Sequence, residues 1–251
     1  RRWSESALRE LRELCDKEEI ILIFDEIYTG WGKTGSLFYF MRHEGLIPDI
    51  LVYSKSLGGG KASISGYTAR EKIFRQAYDR LNDVILHSTT YYGFGEETAT
   101  AIEAVNVVVE EDFPAKAREI ERLLAPGLER LRKAHPDAID RTEGAGALHG
   151  VFLNGGPKIL NLAGKLAPGF AHDPQFRTKL VTLSVIANLY REHNIMTYYS
   201  PNVENPLMVA PTLAVGPAEI EHFLDALDAT LSKGLTRLLT SFVREKVAST
   251  W

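Results

Sequence analysis

Asp25 and Lys55 are the two residues whose types and placement could do chemistry together. Asp25 follows the apolar run Ile20-Ile21-Leu22-Ile23-Phe24, and Lys55 follows Ile50-Leu51-Val52-Tyr53-Ser54. Short runs of this kind read as strands buried on both faces, the pattern of a parallel sheet. A charge at the carboxyl end of such a strand points into the crevice where open α/β sheets bind ligands. An acid on one strand and an amine on the next suit a site that holds a cationic ring and attacks a carbonyl. Taken singly, each has a plainer reading: Asp25 caps the next element, and Lys55 is a solvated loop residue. The flanks shift that balance. Lys55 precedes Gly58-Gly59-Gly60, where the backbone can approach a ligand or take positive φ. Asp25 precedes a loop in which Gly30, Gly32 and Gly35 surround Trp31, too costly in disorder for an idle connector.

Three blocks carry a resemblance. They are Phe24-Asp25-Glu26-Ile27-Tyr28-Thr29-Gly30-Trp31-Gly32-Lys33-Thr34-Gly35, then Pro48-Asp49-Ile50, then Ser54-Lys55-Ser56-Leu57-Gly58-Gly59-Gly60. In this order they resemble the signature of class III (ω-type) aminotransferases, pyridoxal-phosphate enzymes of fold type I. The segment His87-Ser88-Thr89-Thr90-Tyr91-Tyr92-Gly93 is similar to the family segment that reaches the cofactor phosphate of the neighbouring subunit. The resemblance continues weakly to about residue 231, through Gly144-Ala145-Gly146-Ala147-Leu148-His149-Gly150 and Ala210-Pro211-Thr212-Leu213.

The resemblance implies an α/β fold with a partial, mainly parallel large domain and a smaller α+β domain. It implies pyridoxal 5'-phosphate as cofactor. Asp25 would keep the ring nitrogen protonated through a charge-assisted hydrogen bond. Lys55 would carry the cofactor as a Schiff base and later move a proton between two carbons. Ile27 would pack on one ring face. Thr90 would bond the phosphate across a homodimer interface, with Ser88 and Thr89 as alternative hydroxyls; such clusters also mark turns. The implied reaction moves an amino group from an amine or amino-acid donor to an aldehyde or keto acceptor. An aminomutase or decarboxylase on the same cofactor would use Asp25 and Lys55 equally, and a non-catalytic fragment stays open.

Composition fits without deciding. At 251 residues, with 45% hydrophobic and 25% charged, the chain is an ordinary globular protein of one large domain or two modest ones. A net charge of −4 implies no nucleic-acid or anionic-membrane partner. Cys15 is the sole cysteine, which excludes an internal disulfide and any multi-cysteine metal site; it reads as a small buried residue of a helix. The histidines show no metal-ligand spacing, and His87 is a packed loop residue or a neighbour of the site. Gly58-Gly59-Gly60 lacks the G-x-G-x-x-G spacing of a dinucleotide site. No apolar stretch approaches the roughly 20 residues of a membrane helix, and no signal-peptide pattern is present. A reducing cytoplasmic setting and a biosynthetic role are the expectation.

The elements that must position the pair come in α/β order. A helix is expected over 5–17 from Leu8, Leu11 and Leu14, ahead of the Asp25 strand. Enough residues separate the two strands for the crossover a parallel pair needs. Further strands are expected around Gly66-Tyr67-Thr68 and Val84-Ile85-Leu86, and a helix from Glu96 to Glu111 with Ile102, Val105 and Val109 on one face. A long helix follows from Pro114 to His135, which Pro126 should kink or restart. Beyond it come Leu148–Asn154, Arg177–His193, Ile195–Tyr199, Leu207–Ala210 and a helix Pro217–Leu231. The expected domains are 1–112 (part of the cofactor domain), 113–235 (the small domain) and 236–251 (a tail).

Two features depart from the family pattern. Family members carry an upstream portion that supplies a glycine-rich helix N-terminus for the phosphate and an aromatic stacked on the ring; nothing here matches either. The expectation is a C-terminal portion of a longer polypeptide that holds cofactor poorly alone. Secondly, Met208 stands where many members that bind amino-acid carboxylates have arginine, whose loss removes a bidentate carboxylate handle. That favours an acceptor without the carboxylate, and residues 155–180 read as a loop over an acyl tail or as a packing insert. The sequence also resembles aminotransferase modules fused to thioester reductases in pyrrole-pigment and polyketide pathways, where the reductase makes the aldehyde.

Overall fold

Ser4 starts the first helix. Its hydroxyl accepts a hydrogen bond from the Ala7 amide at 3.2 Å, capping α1 (Glu5–Lys17), whose buried face is Leu8, Cys15 and the stem of Arg12. A computed structural model of the protein describes residues 3–81, 83, 90, 93, 95–154, 158, 161, 162, 165, 174–201 and 204–248. It divides into two units, Arg1–Ala117 and Arg118–Trp251.

In the first unit, β1 (Ile23–Asp25) pairs in parallel with β2 (Ile50–Tyr53), Ile23 opposite Ile50 and Asp25 opposite Val52. β3 (Gly66–Ala69) pairs antiparallel with β2, giving the order β1-β2-β3. Asp49 ties the amino ends of this sheet to α1. Its Oδ2 accepts from the Leu22 amide at 2.8 Å and from Arg12 at 2.9 Å, and Arg70 lies 3.3 Å from its Oδ1. Burial alone would raise the Asp49 carboxyl, but the Leu22 amide and the two guanidinium groups outweigh it and hold the pKa below the usual value.

The expectation of two-sided burial fails at β1. Ile20, Ile21 and Ile23 are each about half exposed, at 52%, 47% and 54%. The ladder starts only at Ile23, and β1 is an edge strand, so among the described residues no layer covers these side chains. α2 (Glu71–Tyr78), absent from the sequence reading, follows β3. α3 (Gly95–Glu110) turns a different face inward from the one expected: Ala101 and Val108 are buried while Ile102 and Val109 are exposed. Small side chains decide this. A Cβ on Gly59 would stand 3.0 Å from the Ala104 Cβ, so the helix packs on the glycine turn through Ala104, on the same side as Ala101 and Val108.

α4 (Phe113–Ala134) contains the unit boundary and runs as one helix through Pro126. Ile120, Leu124, Leu128 and Leu131 are all buried, so packing on both sides of the proline holds the turn it weakens. Gly127 is needed for close approach: a Cβ there would fall 2.3 Å from Leu224 Cδ1.

The rest of the second unit is a sheet of order β4-β5-β7-β6 with helices packed on it. Its strands are β4 (Ile139–Ala145), β5 (Leu148–Leu153), β6 (Tyr198–Tyr199) and β7 (Leu207–Val209), all antiparallel neighbours. β4 is missing from the sequence reading because Asp140, Arg141, Thr142 and Glu143 give it no apolar alternation. α5 is Pro174–His193 and α6 is Pro217–Leu231. Pro217 opens α6, and Glu219 accepts from the Gly216 amide at 2.9 Å. Residues 236–251, expected as a tail, are largely helical: α7 (Leu235–Ala248) buries Leu235, Leu238 and Leu239 and packs on Leu180 of α5. The strand expected at Val84-Ile85-Leu86 and most of the 155–173 segment lie outside the described residues. Among the described residues, no helix is long and apolar enough to cross a membrane.

Candidate active site

Asp25 is the last residue of β1, and Lys55 opens a 3-10 turn (Lys55–Gly58) two residues after β2 ends at Tyr53, with Ser54 between them. Because the strands are parallel, with Asp25 opposite Val52, both residues stand at the same carboxyl edge. The ladder extends one residue further, the Glu26 amide donating to the Val52 carbonyl at 2.9 Å. Asp25 and Lys55 are both exposed there.

Asp25 folds back on its own loop. Its Oδ1 accepts from the Ile27 amide at 3.0 Å, an Asx turn that fixes the carboxylate plane. Among the described residues Oδ2 accepts nothing, which leaves one anionic oxygen for a ligand donor. Ile27 is half-buried beside it.

Glu26 turns the other way. It is only 3% exposed and accepts from the Thr29 hydroxyl and from the Tyr39 and Phe40 amides, the last two at 2.8 Å. One carboxylate thus clamps both ends of the loop to the tip of β1. Gly30 lets that loop close, since a Cβ there would meet the Glu26 carbonyl and the Phe38 ring at 2.9 Å. Trp31 packs on Phe38 and Tyr53 with centroids 5.0 and 5.7 Å apart, joining the loop to the end of β2. Glu26→Ala would leave two part-buried amides and a hydroxyl without their acceptor. At about 1–3 kcal/mol for an unsatisfied buried group, the expected loss is about 3 kcal/mol of unfolding free energy, read from denaturant midpoints.

Lys55 has φ +45°, left-handed backbone at a residue with a side chain. Its Nζ lies 4.1 Å from the centroid of the Tyr28 ring, so the amine reaches the loop that follows Asp25. Burial pushes the Tyr28 phenol above its usual pKa, keeping the ring neutral. The structure therefore gathers Asp25, Ile27 and Lys55, and adds Glu26 and Tyr28, to which the sequence reading gave no role. Their signal was in the loop, but no periodicity tells which way a loop side chain points. Thr90 is different. It lies in an exposed turn and, among the described residues, bonds to none of the three. His87, Ser88 and Thr89 lie outside the described residues.

Met208 belongs to the second unit. It is half-buried on β7 and lines a mostly apolar pocket of about 260 Å³ with Ile195, Tyr198, Val209 and Phe223, together with Glu219 and His222. No cluster of three or more metal-ligating side chains exists among the described residues.

The fold that carries this edge is similar to that of several solved transaminases. The chain is similar to a transaminase from the marine bacterium Virgibacillus, at 20% identity and TM-score 0.78, over 94% of this chain and 50% of that one. It is similar to a Bacillus anthracis aminotransferase, at 20% identity and TM-score 0.74, over 91% and 48%. An S-selective transaminase from Arthrobacter sp. gives 21% identity and TM-score 0.74, over 92% and 48%. At these identities the likeness is one of fold, and the chain spans about half the length of these proteins. Residues 2–231 match the family described as Aminotransferase class-III, and the chain belongs to that family. Its members depend on pyridoxal phosphate. The residues present fit that group: a carboxylate oxygen open to a ring N–H, an accessible amine just past the end of the neighbouring strand, and the apolar side chain of Ile27 on the loop after Asp25.

Proposed function

We propose that the protein forms the cofactor-carrying part of a class III aminotransferase, with Lys55 as the amine that holds pyridoxal phosphate and Asp25 as the partner of its ring nitrogen. The observation that supports this best is the parallel register of β1 and β2, which gives both residues the same strand edge. When bound, the protonated pyridine ring withdraws electrons from the carbon beside the amine nitrogen and makes its C–H bond acidic. Asp25 holds the proton on that ring nitrogen, its Oδ1 already fixed by the Ile27 amide. Lys55 takes the proton released at one carbon and returns it at the next. Ile27 covers one ring face and keeps water from it. Thr90 reaches the phosphate of a second copy, which makes the working form a homodimer. Product analysis with an amine donor and a keto acceptor tests the reading: a new amine and a new carbonyl in equal amounts support transfer, whereas carbon dioxide or an isomerised amine alone would assign a decarboxylase or aminomutase.

The acceptor is an aldehyde or ketone without a neighbouring carboxylate, such as a thioester reductase would deliver. The setting of Met208 supports this, since the pocket it lines is mostly apolar and includes no arginine or lysine, its ionisable lining residues being Glu219 and His222. A charge-assisted bond of about 1.5–3 kcal/mol corresponds to roughly 10- to 150-fold. Met208→Arg should raise kcat/KM for a short dicarboxylic keto acid, relative to a medium-chain aldehyde, by a factor in that range. A wild-type protein that already prefers the keto acid would refute the assignment.

A further inference from the structure

We infer that the Tyr28 ring is the seat of the Lys55 ammonium whenever that amine is not bonded to cofactor, which makes Tyr28 a positioning residue for Lys55. This rests on the reading of Lys55 given above. An ammonium 4.1 Å from a ring centroid is well inside the roughly 6 Å range of a cation–π contact. Nothing else holds it: among the described residues Lys55 makes no ion pair and no side-chain hydrogen bond, and it is exposed. A free lysine has up to about 2 kcal/mol of rotamer freedom to lose, so an unheld amine would sample mostly unproductive directions.

Two further features make the seat a built one. The left-handed backbone at Lys55, φ +45°, sets the direction in which the side chain leaves the end of β2. Tyr28 sits on the loop that Glu26 clamps to the end of β1, so the ring is held relative to Asp25 by hydrogen bonds to Thr29, Tyr39 and Phe40. The phenol, kept neutral by partial burial, does not pair with the lysine as an anion; the ring face alone attracts it. In an aminotransferase the lysine leaves the cofactor during each half-reaction and must come back. A ring three residues beyond Asp25 keeps it at the strand edge meanwhile.

The test uses the purified protein with its lysines reductively methylated by 13C-formaldehyde, which keeps their charge. The Lys55 methyl signal, assigned by its absence in Lys55→Arg, should be shifted upfield by the Tyr28 ring current. That shift should persist in Tyr28→Phe and vanish in Tyr28→Leu. In unmethylated protein, the initial rate at which pyridoxal phosphate forms a borohydride-trapped adduct on Lys55 should fall about two- to five-fold in Tyr28→Leu, the size of an exposed cation–π contact, and hold in Tyr28→Phe. An unshifted wild-type signal overturns the inference, as does a leucine variant that forms the adduct as fast as wild type. The wild-type shift decides the seat even if the leucine variant does not fold. Failure of wild type to form any adduct on Lys55 would instead defeat the assignment of Lys55, and the NMR result would still stand by itself.

Discussion

Lys55→Ala is expected to lower turnover by about 10⁴-fold or more while leaving the unfolding midpoint almost unchanged. General acid–base catalysis by one positioned group is worth roughly 10²–10⁴, and the alanine variant also loses the amine that holds the cofactor covalently. Stability is spared because Lys55 is exposed and its one described side-chain contact is the Tyr28 ring. The alanine also relaxes nothing at φ +45°, which is left-handed for both residues. Added methylamine should restore part of the rate, since the strand edge is open to a small amine. Lys55→Arg keeps the charge but cannot form an imine readily, so it should be as inactive as alanine. An alanine variant retaining a tenth of wild-type turnover would rule out the role assigned to Lys55.

Asp25→Asn is expected to lower turnover roughly 10- to 150-fold, equivalent to losing about 1.5–3 kcal/mol of a charge-assisted hydrogen bond. The choice of asparagine matters. Its side-chain oxygen can still accept from the Ile27 amide, so the Asx turn survives and only the anion is removed. Asp25→Ala loses the turn as well, and should lower the unfolding free energy by a further 0.5–1.5 kcal/mol or about that. Turnover measured beside thermal unfolding separates the two effects. If asparagine turns over as fast as aspartate, the ring-nitrogen role is wrong whatever alanine does.

The strand edge shared by Asp25 and Lys55 was legible in the sequence, although the two-sided burial expected of β1 fails. Two apolar runs, each followed by a charge, fixed which residues share an edge, and the structure bears that pairing out in the Asp25–Val52 register. Pro217 and Glu219 marked the start of α6 in the same direct way. Other features were less readable for physical reasons. The inward face of α3 carries Ala101, Ala104 and Val108 instead of its larger residues, because close approach to Gly59 favours small side chains. β4 is a strand of charged residues held by its hairpin partner, which no periodicity reveals. In α7, Leu235, Leu238, Leu239 and Phe242 recur at helical spacing, a signal present in the sequence where a tail was the expectation. Glu26 and Tyr28 illustrate the limit at the site itself. Both are in the quoted motif, yet their opposite orientations, one clamping the loop and one facing Lys55, come from hydrogen bonds across 13 and 14 residues and a contact between two strands' ends.

The most direct test of the central claim is to incubate the protein with pyridoxal phosphate, reduce it with borohydride and map the labelled peptide by mass. The account predicts a single pyridoxyl label on Lys55, absent from Lys55→Ala. A label on Lys33 or Lys61 in place of Lys55, or undiminished labelling of the alanine variant, would contradict it.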